Sequence, residues 1–498
     1  MSQLADRRKA EQIDAVAEAI NLRLDSGRAV VVEQFARRFY AHVPPDDIAS
    51  ASMEQLYGAV LSAWQLYQHR PPGKAKVRVY NPRIETHGWK AARTVVETIN
   101  DDMPFLVDSV TAELNRLGLT VHLVVHPVME ATRDADGDLT DGDPIEAGDA
   151  APPESVLRES VMHIQISPIS DPAMLTRTVA ALERVLTDVR AAVNDWPTMR
   201  QRLREALADA AAARQAAPED EVAEAEAFLS WMEDDHFTFL GYREYAFAPT
   251  GGEELTLTDG SGLGVLRDDS VTVFDGLRHF AALPPDVQAF MRAPRLLMVT
   301  KGNRESTVHR PVALDVVLVK RFDDQGRVAG ERLFAGLFTS AAYNRSPRQI
   351  PFLRRKVAAV LAQAGFDPRS HDGKGLLHIL ETYPRDELFQ VGAEELFDIA
   401  MGVVHLQERQ RLALFIRRDP FERFASCLVY VPRDRYDTAL RLRFQHILED
   451  ALQGRLQAFY TQVADGALAR LHFIIATEPG HCPPVDVAAL EAELAAGA

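Results

Sequence analysis

The chain has 498 residues, 47% of them apolar and 26% charged, with a net charge of −17 and two cysteines. That length accommodates about three or four domains of ordinary size. The acidic balance opposes nucleic acid and anionic membrane surfaces, both of which recruit clustered cations. Cys427 and Cys482 form no Cys-x-x-Cys, which argues against a zinc site or a disulfide framework. No apolar signal core follows the N-terminal residues, and no window approaches the ~18 apolar residues of a membrane span. The expected compartment is the cytoplasm.

Residues 4–70 read as helices. Ile13, Val16, Ile20 and Leu24 recur at helical spacing, Phe35, Phe39, Leu56, Val60, Leu61 and Trp64 continue the pattern, Pro44-Pro45 breaks it and Pro71-Pro72-Gly73 ends it. A β-α-β-β-α pattern follows: a strand at Thr94–Asn100, a helix at Pro104–Leu117 stopped by Gly118, a strand at Thr120–Glu130, a hairpin, a strand at Ser160–Ser167 and a helix from Asp171. Asn100-Asp101-Asp102 offers N-cap oxygens, with Pro104 in the first helical turn. Val77–Tyr80 is available as an extra strand. Residues 133–153, rich in Asp, Gly and Pro, read as a long solvated hairpin loop. Its acids lack the EF-hand spacing.

Residues 205–227 read as helix, with Pro218 opening a new one. His236–Phe247, Leu296–Thr300, Val312–Phe322 and Arg332–Ala341 read as strands of an antiparallel sheet, with a hairpin turn at Asp323-Asp324-Gln325-Gly326. Residues 348–415 return to helix, with Ser346-Pro347 as N-cap and first-turn proline. The β-α-β-β-α pattern then recurs: a strand at Ala425–Val431, a helix at Asp434–Leu452, strands near Leu456–Gln462 and Leu471–Ala476, and a helix from Val485. Each copy is most of a ferredoxin-like split βαβ unit. Two such modules without catalytic residues suggest regulation rather than an active site.

The candidate sites each have a plainer reading. Gly262-Leu263-Gly264-Val265-Leu266-Arg267 starts like a dinucleotide fingerprint but lacks its last glycine, and a turn between strands suits it better. His122 and His126 share a strand face, but no third metal ligand accompanies them. His378 with Glu381, and His446 with Glu449, read as surface pairs. Arg345, Arg348, Arg354, Arg355 and Lys356 form a basic cluster at a helix start, either an anion site or a contact face. The loop Asn100-Asp101-Asp102-Met103-Pro104-Phe105-Leu106 joins a strand to a helix whose free N–H groups can hold a carboxylate. The plainer reading is that Asp102 caps the helix. No catalytic, cofactor-binding or metal-ligating residue is expected.

Four long segments carry a resemblance. They are Thr94–Met129 with its NDDMPFLVDSV core, Phe228–Tyr245 (FLSWMEDDHFTFLGYREY), Leu297–Arg310 (LMVTKGNRESTVHR) and Phe334–Val357 (FAGLFTSAAYNRSPRQIPFLRRKV). The chain resembles, over nearly its whole length, the N-terminal part of the large bacterial NAD-dependent glutamate dehydrogenases. The resemblance implies an α+β chain in which two ACT-type modules flank a mostly antiparallel PAS-like sheet domain, with helical connectors. The division it supports is 1–75 helical, 76–200 first ACT-like, 201–235 connector, 236–345 PAS-like, 346–415 helical and 416–498 second ACT-like, the last truncated.

It further implies a parent enzyme that deaminates L-glutamate with NAD, assembled as a homotetramer. This chain would carry no cofactor and no catalytic group of its own. Its partners would be the rest of the parent chain, identical subunits and a small-molecule effector, with no nucleic acid and no membrane. The effector loop departs from the family's ligand-binding pattern. Phe105 stands where such loops often place the glycine that lets a ligand approach the backbone, and Pro432-Arg433-Asp434-Arg435 also lacks one. The alternatives are a free-standing amino-acid or small-molecule sensor, and an unrelated enzyme with a site in the middle sheet.

Overall fold

The computed structural model describes all residues except 1, 49–50, 147–155, 211–212, 215–216, 248–254, 272, 274–292, 294, 324, 407–408, 410, 464–466, 479 and 498. Two compact units are present, residues 1–194 with 306–312, and residues 195–305 with 313–498. The fold is mixed α+β, and among the described residues three sheets form, with all strand pairing antiparallel.

In the first unit, helices Ser2–Arg23, Ser26–Phe39, Pro45–Ile48 and Met53–Tyr67 precede the sheet. Lys76–Tyr80 pairs with Thr94–Asp101, which pairs with Leu157–Ile166. Leu157–Ile166 then carries both Val121–Val125 and Val128–Arg133 on its other edge. The strand expected over Thr120–Glu130 is therefore two strands. Pro127, which has no N–H to give a ladder, stands between them. Strand alternation assigns the two faces. Ile99, Val125 and Val161 join Val16, Phe35 and Trp64 in one core under the N-terminal helices.

Two expectations here need correction. Asp141-Gly142-Asp143-Pro144 lies on the strand Leu139–Glu146, paired with Val128–Arg133, not in a long loop. The turn is short. Asp134 Oδ1 accepts from the N–H groups of Asp136 and Asp138, and Gly137 has φ +92°. Residues 147–153 of that expectation lie outside the described residues. Secondly, the helix expected from Pro104 begins at Leu106, because Phe105 is left-handed with φ 73°.

In the second unit, Leu297–Glu305, Ala313–Phe322, Val328–Phe338 and Phe237–Phe247 form the spine of the middle sheet. Asp323 Oδ1 accepts from Gln325 N and Arg327 N in its hairpin turn, while Asp324 lies outside the described residues. Gly264, φ +59°, lets the short strand Leu263–Gly264 lie against Leu240, whose carbonyl oxygen would be 2.1 Å from an added Cβ. The glycines at 262 and 264 thus serve tight backbone approach. Helices Leu353–Ala364, His371–Thr382, Arg385–Gln390 and Ala393–Val404 follow. Ser346 caps a 3-10 turn at Pro347–Gln349 rather than an α-helix.

The stretch expected to stay helical to 415 contains a strand, Ala413–Arg418, paired with Phe424–Pro432. Phe424–Pro432 pairs with Leu468–Ala476, which pairs with Arg455–Val463. Ala425, Cys427, Val429 and Val431 face helices Thr438–Leu452 and Val487–Gly497, while Leu428 and Tyr430 join the core of the middle sheet. Two-residue periodicity places these two sets on opposite sides.

The two outer sheets share one order. In each, a strand is followed by a helix, a second strand and a third strand that inserts between the first two. In each, the outer edge beside the first strand is taken by a strand that precedes the module, Lys76–Tyr80 in one and Ala413–Arg418 in the other.

Candidate functional site

The strand–helix loop of the first unit is built and then closed by arginines. Thr94–Asp101 runs straight into the turn, so Asn100 and Asp101 project from the strand's end. Arg190, on the helix Pro172–Ala210, donates to Asn100 Oδ1 and to Asp101 Oδ2. Arg70 donates to Asp101 Oδ1 and, at 2.7 Å, to Glu159. Arg133 grips both oxygens of Glu159, at 2.8 and 2.7 Å. Arg70 and Glu159 are almost wholly buried, 1% and 0% exposed. Burial alone would raise the Asp101 carboxyl, but Arg70 and Arg190 outweigh it and hold it below the usual carboxylate range.

The remaining loop residues differ in what they touch. The Asp102 N–H donates to Arg158 O, and no side chain caps the helix Leu106–Arg116. The expected N-cap role of Asn100–Asp102 is thus replaced by ion pairing. Phe105 occupies the left-handed conformation that a glycine would favour, and its ring lies 5.0 Å from that of His309. His309 N donates to Ser109 Oγ and its Nδ1 pairs with Asp108 at 3.0 Å. Leu106 is buried. The structure therefore gathers the loop residues; the side chains of Asn100 and Asp101 are engaged by arginines of the same chain, while the Asp102 side chain is exposed.

The other sequence candidates disperse. Arg354 and Arg355 pair with Glu224 and Asp220 on the acidic helix Glu219–Trp231. Arg345 and Arg348 stand exposed outside that pairing. His126 Nε2 is hydrogen-bonded to Ser160 Oγ at 2.7 Å, and a bulge at Val121/Leu123 interrupts the strand that carries His122. Glu381 accepts from Ser346, and His446 pairs with Glu449 at 3.6 Å on the surface. Among the described residues no cluster of three or more His, Cys, Asp or Glu is placed to hold a metal.

Sequence reading missed the buried charges of the second unit. Lys301 reaches Asp315 at 2.7 Å and Asp386 at 3.2 Å, and Tyr343 donates to Asp386. Burial would lower the Lys301 amine, but the two carboxylates outweigh it and hold it protonated. Arg417 is bidentate to Glu387, and Arg423 joins Asp419 to Thr300 and the Lys301 carbonyl. Buried pairs of this kind specify one arrangement more than they add stability.

Beside these pairs lies a cavity of about 670 Å³. Its wall includes Lys356, half-buried on the helix Leu353–Ala364. The amine donates to the Leu388 and Phe389 carbonyls at 3.0 and 2.7 Å. Burial, then Arg417 and Arg295, bring its pKa down to about 7. Lys356 belongs to the basic cluster read from the sequence. It falls with Leu353, Val357 and Val360 on the buried stripe of that helix.

Comparison with known proteins matches these regions. The family model for the glutamate dehydrogenase ACT1 domain covers residues 35–182, that for its ACT2 domain residues 413–498, and that for its helical motif 1 residues 350–409. An NAD-specific glutamate dehydrogenase of Halomonas elongata is 42% identical over 489 residues, covering 98% of this chain and 30% of the relative. Those of Pseudomonas aeruginosa and Mycobacterium tuberculosis are 38% and 33% identical, over 93% and 86% of this chain and 28% and 25% of theirs. The chain thus spans 25–30% of the length of these curated relatives. Long identity along the whole chain, with both outer sheets matched as ACT domains, places it in the family of large bacterial NAD-dependent glutamate dehydrogenases.

Proposed function

We propose that this chain is the regulatory and assembly segment of an NAD-dependent glutamate dehydrogenase, and that it has no turnover of its own. The parent reaction is the conversion of L-glutamate, NAD and water to 2-oxoglutarate, ammonium and NADH, with NAD held by residues outside this chain. In this reading the parts are 1–75, 76–200, 201–235, 236–345, 346–415 and 416–498, the middle sheet is PAS-like, and the protein works in the cytoplasm as a homotetramer. No helix among the described residues is long and apolar enough to cross a membrane.

One observation carries the reading. The convergent ionisable groups described above are ion-paired with one another, as in Arg70–Asp101–Glu159 and Lys301–Asp315–Asp386. A catalytic acid or base needs a proton to exchange with substrate. Lys356, which does lie at a cavity, hydrogen-bonds two carbonyls rather than an acid or a nucleophile. An assembly role finds support at the strand Arg455–Val463. It ends its sheet and exposes Tyr460 and Val463, 54% and 48% accessible. Such an edge offers unpaired backbone groups to a partner.

The test is direct. The isolated chain should show no glutamate-dependent reduction of NAD, while sedimentation should show self-association. Turnover above background, abolished by Lys356→Met, would replace this reading with an enzymatic one.

A further inference from the structure

Three observations meet at the cavity of the second unit. The first is the pattern of neutralised charge in its wall. Lys320 is paired with Glu331 at 2.8 Å, Arg355 with Asp220, and Arg417 with both oxygens of Glu387. Lys356 has two carbonyl oxygens and, among the described residues, no carboxylate at salt-bridge distance. The second is an unfilled donor. Nη2 of Arg418, in the same wall, is buried without a hydrogen-bond partner. The third is the helix Ala393–Val404, whose first residues line the cavity. Its N-cap is Gly392, with no side chain to accept from the free N–H groups, and those groups carry partial positive charge.

We propose that this cavity binds a small polyanion, a phosphate ester or a compact di- or tricarboxylate, between Lys356, Arg418 and the start of the Ala393–Val404 helix. The space, about 670 Å³, falls within the range of small-molecule pockets. An anion there supplies the countercharge that Lys356 lacks and the acceptor that Arg418 lacks. The site stands independently of the parent activity, since it is a property of this chain alone.

The charged groups around Lys356 set the coupling. Arg417 and Arg295 disfavour its proton and Glu387 favours it. Glu221 and Glu224 enter the wall from the helix Glu219–Trp231, Glu394 and Glu395 from Ala393–Val404, and Lys320 from the middle sheet. With its pKa brought to about 7, the amine is mostly unprotonated at pH 8. Binding of succinate, which is fully ionised at pH 8, should therefore take up close to one proton, whereas pyrophosphate keeps a proton of its own at that pH and can supply part of it.

The experiment uses the whole chain and titration calorimetry with inorganic pyrophosphate and with succinate, at pH 8, in two buffers of different ionisation enthalpy. At least one anion should bind, and succinate, if it binds, should do so with net proton uptake. Lys356→Met should weaken binding at least tenfold, and Lys356→Arg should bind without the uptake. Ala393→Asp, which keeps a helix start and needs no buried change, should also weaken binding at least tenfold. Binding by one anion alone assigns the chemical class. Binding by neither overturns the site, as does binding that Lys356→Met and Ala393→Asp leave unchanged.

Discussion

The two ACT modules share a strand order and differ in what is done with it. In the first, the strand–helix turn is locked by ion pairs, Phe105 holds a left-handed backbone, and the following helix has no side-chain cap. In the second, the turn is a 3-10 segment at Arg433–Arg435, and Asp437 accepts from Leu440 N at 2.7 Å as a proper N-cap. The first module carries an added hairpin, Val128–Glu146, on the side where the second leaves Arg455–Val463 as an open edge. One topology thus serves a sealed module and a module with a free edge. The lesson is that an ACT order does not by itself imply a ligand at the strand–helix loop.

The largest expected break in this contrast is Arg70→Met. It leaves Glu159 buried with one arginine fewer and loosens Asp101. Removing one partner of such a pair costs about 3–5 kcal/mol. Urea unfolding followed by hydrogen exchange should show the loss in the first unit, with the second unit's protection unchanged. Loss spread equally over both would refute the assignment.

Gly58→Ala comes next. An added Cβ would lie 2.4 Å from the Trp89 ring, which packs on the Met53–Tyr67 helix. Overpacking of this kind costs about 1–3 kcal/mol, and Trp fluorescence should report the displaced ring.

A smaller pair of variants compares the two turns. Asp437→Ala should cost about 1 kcal/mol, the usual worth of an N-cap. Asp102→Ala should stay within about 0.5 kcal/mol, as surface changes do. Equal costs would mean that the two turns work alike. On the open edge, Tyr460→Lys with Val463→Lys should reduce self-association in sedimentation without lowering the melting temperature.

The pH dependence should have the same sign in the two units but fall in different windows. Burial would raise Glu97, but His163 and Arg78 outweigh it and hold it low, as the arginines do for Asp101. Both acids therefore contribute stability above their unfolded values, 4.5 and 3.8, and that contribution is lost as pH falls through the folded values. Lys356 acts in the same direction at higher pH. Its folded pKa, about 7, lies below the ordinary 10.5, so the unfolded chain binds more protons between them and stability rises with pH across that window. Denaturant melts at pH 7 and pH 9 should show the rise, and Lys356→Met should remove it. A rise that survives the substitution would assign it to another group.

Much of the architecture was readable along the chain. Thr94–Asn100, Ala425–Val431 and the helices after them carry clear apolar periods, and Val77–Tyr80 took the edge position open to it. The strand Ala413–Arg418 escaped because it is short, follows four helices and carries two arginines, one of them buried against Glu387. The start of the first module's helix also escaped, since a left-handed Phe105 has no local sequence mark.

What residues a few positions apart could state was the repeat, because strand and helix periods are set by neighbours. What they could not state was the fate of the charges. Arg70 meets Glu159 across 89 positions, and Arg423 meets Thr300 across 123. An exposed acid and a buried, paired one have the same letter. Only folding brings in the partner, removes the water and so determines whether Asp101 awaits a ligand or is already held.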